Sequence, residues 1–249
     1  MSDPVLVDSA DDPFYSDVVC LLKMNGADAG TVFTDEIGHT FTAHGDAKTT
    51  TSTYFSGGSS GSFDGTGDYI DSPDGTAMSP GAGQFTIDML VKFNAVGNIH
   101  LVGCSSGTYY LNYEWSFFMT NSTTLNLYYG VRGSSNVVLA FAVPAIVTGN
   151  FYHLAVQRTV ADVVECFTNG IKSANTYAST LNYTGNAAHK LTVGAFGVDL
   201  SSPLNGYMNS LRITRNTRYS GSFKPFDSYH PPKLYTPKVQ PFSFLPYGA

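Results

Sequence analysis

The stretch Phe151 to Gly170, FYHLAVQRTVADVVECFTNG, constrains the fold of this chain more than any other. Phe151, His153, Ala155 and Gln157 fall on one face of an extended backbone, and Tyr152, Leu154 and Val156 on the other. This is the period-two alternation of a strand in a sheet with one face buried. Thr159 to Asp162 then reads as a turn, and Val163 to Thr168 as a second run rich in β-branched and aromatic residues. Asn169-Gly170 supplies residues that accept a positive φ. The pattern predicts a hairpin.

Comparable runs recur along the sequence. Val18 to Lys23 is a short apolar run closed by Asn25-Gly26, and Thr31 to Phe33 adds an edge strand. Phe63 to Ser72 reads as a strand, a tight turn and a second short strand. In Gln84 to Phe93, Phe85, Ile87, Met89 and Val91 alternate with Gln84, Thr86, Asp88, Leu90 and Lys92. Further strands are predicted at Ile99 to Cys104, Trp115 to Met119, Thr124 to Val131, Val137 to Phe141, Leu191 to Ala195 and Gly206 to Thr214, separated by Gly, Ser and Asn. In the last of these, Tyr207, Asn209, Leu211 and Ile213 alternate with Met208, Ser210 and Arg212. No window of a dozen residues carries a 3.6-residue apolar stripe, so helices should be single turns. The fold class is all-β, a two-sheet antiparallel sandwich, and 249 residues suit one such domain.

The ends differ from the middle. Residues 1–12 carry four Asp and little core-forming periodicity, the character of an arm. From Pro225 onward six Pro stand among aromatics; because proline lacks the ladder donor and fixes φ, this tail is predicted to be extended. Its Tyr229, Tyr235, Phe242, Phe244 and Tyr247 are too apolar for a free linker and are expected to contact this domain or a neighbour. The domain boundaries are therefore 1–12, 13–227 and 228–249.

Charge narrows the function. Only 13% of residues are charged, and the net charge is −6 with no basic cluster, which argues against nucleic acid. A polar surface poor in charge suits packed assemblies or sugar ligands. The N-terminus has no basic region followed by an apolar one, and no apolar run approaches a membrane span of ~18 residues. The expected origin is the cytosol, without a membrane partner. Cys20, Cys104 and Cys166 form no CxxC pair and read as small core residues.

The histidines are scattered, and no GxSxG elbow precedes a helix. His153 reads as a hydrogen-bonded strand residue. His39 and His44 lie five apart on a predicted strand and would point to opposite faces, which spoils a metal pair. A sugar site needs exposed rings beside polar side chains. The cluster with that composition is Tyr109, Tyr110, Tyr113 and Trp115 in TYYLNYEW.

Segments DPFYSDVVCLLKMNGADAGTVFTDEIGHTFTA, GSFDGTGDYIDSP, QFTIDMLVKF, FYHLAVQR, FTNG, LTVGAF and GYMNSLRITRNTRYSGSFKPF occur in this order. Together they resemble the concanavalin A-like, laminin G-type jelly-roll domains of tailed-bacteriophage virion proteins, over about residues 13 to 226. The resemblance implies a jelly roll used for capsid decoration, head fibres or tail appendages, and elsewhere for carbohydrate binding or glucan hydrolysis. Hydrolytic relatives place two Glu on one strand two or four residues apart, since retaining hydrolysis needs carboxyls about 5 Å apart. Here Glu36, Glu114 and Glu165 have no such partner, and Asp68, Asp71 and Asp74 follow at intervals of three. No catalytic residue is assigned, and the chain is expected not to be an enzyme.

Related jelly rolls also hold calcium between an acid after the first strand and an acid in the last. Asn25 and Asn209 stand at those positions, with Asp28 in the following loop. Loss of carboxylates weakens calcium binding, so no cofactor is expected. The implied role is a non-enzymatic virion protein on the particle surface. The first expectation is a capsid decoration protein, bound to the major capsid protein or other virion subunits as a homo-oligomer such as a trimer. The alternative is a carbohydrate-binding, receptor-recognition or tail-fibre module with a host glycan as ligand.

Overall fold

The computed structural model describes residues 12–72, 74–105, 115–130, 137–183, 189–197 and 199–224. In chain order its strands are β1 (Val18–Leu22), β2 (Val32–Thr34), β3 (Thr40–His44), β4 (Lys48–Thr50), β5 (Ser60–Asp64), β6 (Tyr69–Ser72), β7 (Phe85–Phe93), β8 (Ile99–Ser105) and β9 (Trp115–Asn121). There follow β10 (Thr124–Tyr129), β11 (Val137–Ala142), β12 (Phe151–Arg158), β13 (Val163–Thr168), β14 (Ile171–Lys172), β15 (Tyr177–Ala178), β16 (Lys190–Val193) and β17 (Asn205–Thr214). Helix among the described residues is confined to single turns at Tyr15–Asp17 and Gly75–Met78, and none is long and apolar enough to cross a membrane.

The strands build two antiparallel sheets. One runs β14-β13-β12-β7-β17-β5-β4, with β1 added on β17 and β15 on β13; the other runs β11-β10-β9-β8-β16-β6-β3-β2. Their inner faces enclose one core, to which β7 gives Phe85, Ile87, Met89 and Val91, β9 gives Trp115, Phe117 and Met119, and β12 gives Tyr152, Leu154 and Val156. The two-sheet sandwich expected from the sequence is present. The β12–β13 hairpin pairs Leu154 with Thr168 and Arg158 with Val164, and Asn169 and Gly170 take φ values of 48° and 74°.

Among the register shifts between strands, those in β17 and β8 change which residues reach the core. In β17 the register with β7 shifts between Met208 and Ser210, so Met208 points into the core together with Leu211 and Ile213. Period-two reading placed Met208 with Arg212; one inserted residue reverses which face follows. In β8 the register with β9 shifts between His100 and Val102, and Ile99, Leu101, Val102 and Cys104 all enter the core. His100 is thereby left on the outside. The segment from Phe63 to Ser72 also departs from a simple hairpin, since β5 and β6 belong to different sheets. Asp68 secures that corner by accepting from the backbone N–H groups of Asp64 (2.8 Å) and Asp46 (2.5 Å).

The outer face of the nine-stranded sheet is covered by the chain itself. Residues 215–224 cross it as a strap: Gln157 donates to Tyr219 O at 2.7 Å and accepts from Tyr219 N at 3.1 Å, and Phe223 N donates to Gly170 O. Beneath the strap, Ala155 and Phe167 pack with Tyr219 and Phe223 in a second small apolar cluster. This covering explains why both faces of β7 are buried although the residues alternate in polarity.

Candidate functional site

The strap leaves the outer face of the eight-stranded sheet as the side on which to look for a ligand. On β9 and β10 the inward residues are Trp115, Phe117, Met119, Leu125, Leu127 and Tyr129. Strand geometry then sends Ser116, Phe118, Asn126 and Tyr128 outward. Cross-strand pairing sets Phe118 opposite both His100 and Asn126, and Ser116 opposite Tyr128.

The rings assemble into an aromatic wall. His100 stacks parallel to Phe118 with centroids 4.6 Å apart, and Phe196 lies 4.3 Å from His100 and edge-on to Tyr128 at 6.4 Å. Together with Asn98, Ser201 and Ser202 these side chains line a recess of about 200 Å³. An apolar wall with a few polar groups at the rim is the general form of a small-ligand pocket.

The rim is held by the loop between β16 and β17. Phe196 N donates to Ser201 O, Leu200 N to Phe196 O, and His100 N to Ser202 O. Ser201 N donates to Asp199 Oδ1 at 3.0 Å, and Asn98 Nδ2 to Ser202 Oγ at 2.8 Å. Leu200 and Ser202 hold φ of 59° and 52°, a left-handed conformation that costs a non-glycine residue energy and recurs where a loop shapes a site. Gly197 has no side chain because a Cβ there would collide with Ser105 Oγ and meet Thr192 Oγ1 at 2.9 Å, so the loop lies directly on the sheet. His100 Nδ1 is 2.8 Å from Ser116 Oγ, which fixes the ring plane. Burial pushes the imidazole pKa down to about 4 against a smaller opposing pull from Asp199, so the ring is neutral near pH 7.

The residues singled out from sequence fall elsewhere. Trp115 does not serve as a sugar platform: its ring is buried in the core and its Nε1–H donates to Ser79 Oγ at 3.0 Å. Alternation along β9 turns it inward, whereas Phe118, three residues on, turns outward. Tyr109, Tyr110 and Tyr113 lie outside the described residues, as do Tyr229, Tyr235, Phe242, Phe244 and Tyr247.

Of the calcium candidates, Asn209 is buried at the β17 bulge and is engaged by backbone. Its Oδ1 accepts from Phe55 N and Ser56 N, and its Nδ2 donates to Ser56 O and Ser59 O. The amide therefore closes the 55–59 loop by itself, with donors a carboxylate would lack. Asn25 lies against Gly57, and Asp28 is a surface residue that accepts from Thr51 N. Among the described residues no group of three or more His, Cys, Asp and Glu is arranged to hold a metal.

His39 sits in the turn before β3 and bonds Asp35 at 2.9 Å, not on a strand as predicted, while His44 stacks on Tyr69 and faces Asp71. Glu165 is paired with Lys172 and Gln157, and Asp71 with Lys190. His153 acquires partners invisible in the sequence, Asp88 at 3.7 Å and the hydroxyl of Tyr219 in the strap at 3.5 Å, but all three side chains are buried. Cys20, Cys104 and Cys166 are buried and form no disulfide, as their spacing suggested.

Asn98, His100, Phe118, Tyr128, Phe196, Ser201 and Ser202 are not marked as site residues by any motif in the sequence. The one available signal was parity, since Phe118 and Tyr128 alternate with core residues on predicted neighbouring strands.

No protein-family model and no curated protein matches this sequence. Solved structures do match it. Domain 4 of AbnA, a GH43 extracellular arabinanase from Geobacillus stearothermophilus in complex with arabinotriose, aligns with a TM-score of 0.58 at 17% identity, over 84% of this chain and 95% of that one. The binding domain of botulinum neurotoxin serotype G aligns at 0.59 and 9% identity, over 81% of this chain and 48% of that one. Botulinum neurotoxin type C, whose cell entry depends on interaction with two ganglioside molecules, aligns at 0.58 and 11% identity, over 83% and 49%. The chain thus spans about half the length of each toxin structure. At such identities the likeness is one of fold, the two-sheet antiparallel β-sandwich.

Proposed function

We propose that this chain is a carbohydrate-binding β-sandwich module that works by adhesion rather than catalysis. The observation that carries the reading is the aromatic recess of His100, Phe118, Tyr128 and Phe196 with its rim of Asn98, Ser201 and Ser202. A sugar presents an apolar ring face and a periphery of hydroxyls, which complement such a wall and rim. Pre-formed loop geometry adds to this, because a site ordered before binding loses less entropy when occupied. Two similar folds whose published descriptions name arabinotriose and gangliosides as ligands point the same way.

The setting we propose is the surface of a tailed-phage virion, where such a module would recognise a host glycan. It rests on the ordered segments quoted above. A capsid decoration role has less support, since it takes residues 1–12 and 228–249 as contact arms and of these only Asp12 lies among the described residues.

Phe196→Ala tests the reading. Glycan affinity should fall at least about tenfold, the loss expected of one stacking ring, while Trp115→Phe should leave affinity unchanged. Undiminished binding by Phe196→Ala and by Tyr128→Ala would overturn it. Deleting residues 228–249 should also leave glycan binding intact; loss of trimerisation or of particle attachment, with no glycan bound by either form, would restore the decoration role.

A further inference from the structure

We infer that the recess takes one uncharged sugar ring and rejects sugars that carry a carboxylate. This rests on the glycan-binding reading and adds to it the class of ligand. Its volume of about 200 Å³ is below the ~300–1,000 Å³ of clefts that enclose larger ligands, which leaves room for a single ring against the aromatic wall.

The charge argument starts from the lining itself. None of Asn98, Phe118, Tyr128, Phe196, Ser201 and Ser202 carries a charge near neutral pH, and His100, the one titratable group that could offer a cation, is buried against two aromatic rings. Burial keeps it neutral down to about pH 4. Proteins that select carboxylates present an Arg fork or a Lys at the site. Among the described residues no Lys or Arg lines the recess, and Lys190, on the same sheet, is bound to Asp71 at 2.8 Å. Lys190 pairs with Ser105, five residues along β8 from His100, which is about 16 Å at ~3.3 Å per residue.

The charge near the rim has the opposite sign. Asp199 is exposed on the loop that holds Phe196 and Ser201, near enough to act electrostatically on His100. A carboxylate entering the recess would lose hydration without gaining a cationic partner among the lining residues and would meet Asp199 besides. A neutral ring loses nothing of the kind. Selection here comes from repulsion as much as from fit.

The test uses the full chain at pH 7 and matched methyl glycosides that differ only at C6: glucoside with glucuronide, and galactoside with galacturonide. Binding is followed by NMR titration. The neutral member of at least one pair should shift the signals of His100, Phe118 and Tyr128, and its uronide should bind at least about tenfold more weakly. Asp199→Asn keeps the acceptor for Ser201 N and should narrow that gap by strengthening the uronide's binding. Equal or tighter binding of the uronide in this recess would overturn the inference and leave the glycan reading standing. If no glycoside of either kind binds, both are overturned.

Discussion

Arg218→Met removes the cation that reaches from the strap into the outer face of the nine-stranded sheet. Its Nη1 donates to Asp88 Oδ2 at 2.7 Å, and the two side chains are 5% and 0% exposed. Burial by itself would raise the Asp88 pKa, but the Arg218 charge, followed by a hydrogen bond and charge from His153 and the charge of Arg212, brings the carboxyl below its ordinary value. Truncating one partner of a buried pair leaves the other uncompensated, at a cost of about 3–5 kcal/mol. For a domain of this size that corresponds to a fall of roughly 10 °C in melting temperature.

The pH dependence has a definite sign. In the wild type the folded carboxyl has the lower pKa, so its contribution is present above the unfolded value of 3.8 and fades as pH falls through the folded one. In Arg218→Met burial dominates and the Asp88 pKa rises. The gap between variant and wild type should then be widest near pH 7 and should close toward acid pH. Thermal melts followed by circular dichroism from pH 7 to pH 4 measure it, and Asp88→Asn/Arg218→Met should recover most of the loss. A single variant within about 0.5 kcal/mol of wild type at pH 7 would refute the account of the strap as electrostatically anchored.

Asn209→Ala should cost about 2–3 kcal/mol, because it strands backbone groups of Phe55, Ser56 and Ser59 at the bulge; calcium should not restore the lost stability in chemical denaturation. His100 makes a second pH-dependent contribution. Its folded value of about 4 lies below the ordinary 6.5, so the unfolded chain takes up the proton first and stability falls as pH drops from 6.5 to 4, by up to about 3 kcal/mol. In His100→Gln that part of the curve should be missing, and superimposable stability profiles for variant and wild type would contradict it.

The sandwich was legible because its central strands obey period two with few interruptions: Tyr152, Leu154 and Val156 face the core as their spacing requires. Bulges hid more. One residue at Asn209 reverses the faces of β17, and the shift beside Leu101 turns His100 outward; nothing in either run distinguishes the inserted residue from its neighbours. The strap hid the character of β7 in the same way, since the burial of Asp88 depends on Arg218, 130 residues away. Composition led to Trp115 as a platform because rings cluster around it, yet alternation buries it and presents Phe118 instead. Phe196 could not be read as a site residue: Asp199, Ser201, Ser202 and Pro203 mark a loop after it, but not the left-handed turns at Leu200 and Ser202 that set its path.

The central claim is that sugars bind at the aromatic recess on the outer face of the eight-stranded sheet. Its most direct test is a side-chain-resolved NMR map of the full chain with a panel of neutral monosaccharides and short oligosaccharides. The account predicts perturbations confined to His100, Phe118, Tyr128, Phe196 and the loop through Ser202. Perturbations confined to the strap or to the edges of the sandwich, or none with any sugar in the panel, would contradict it.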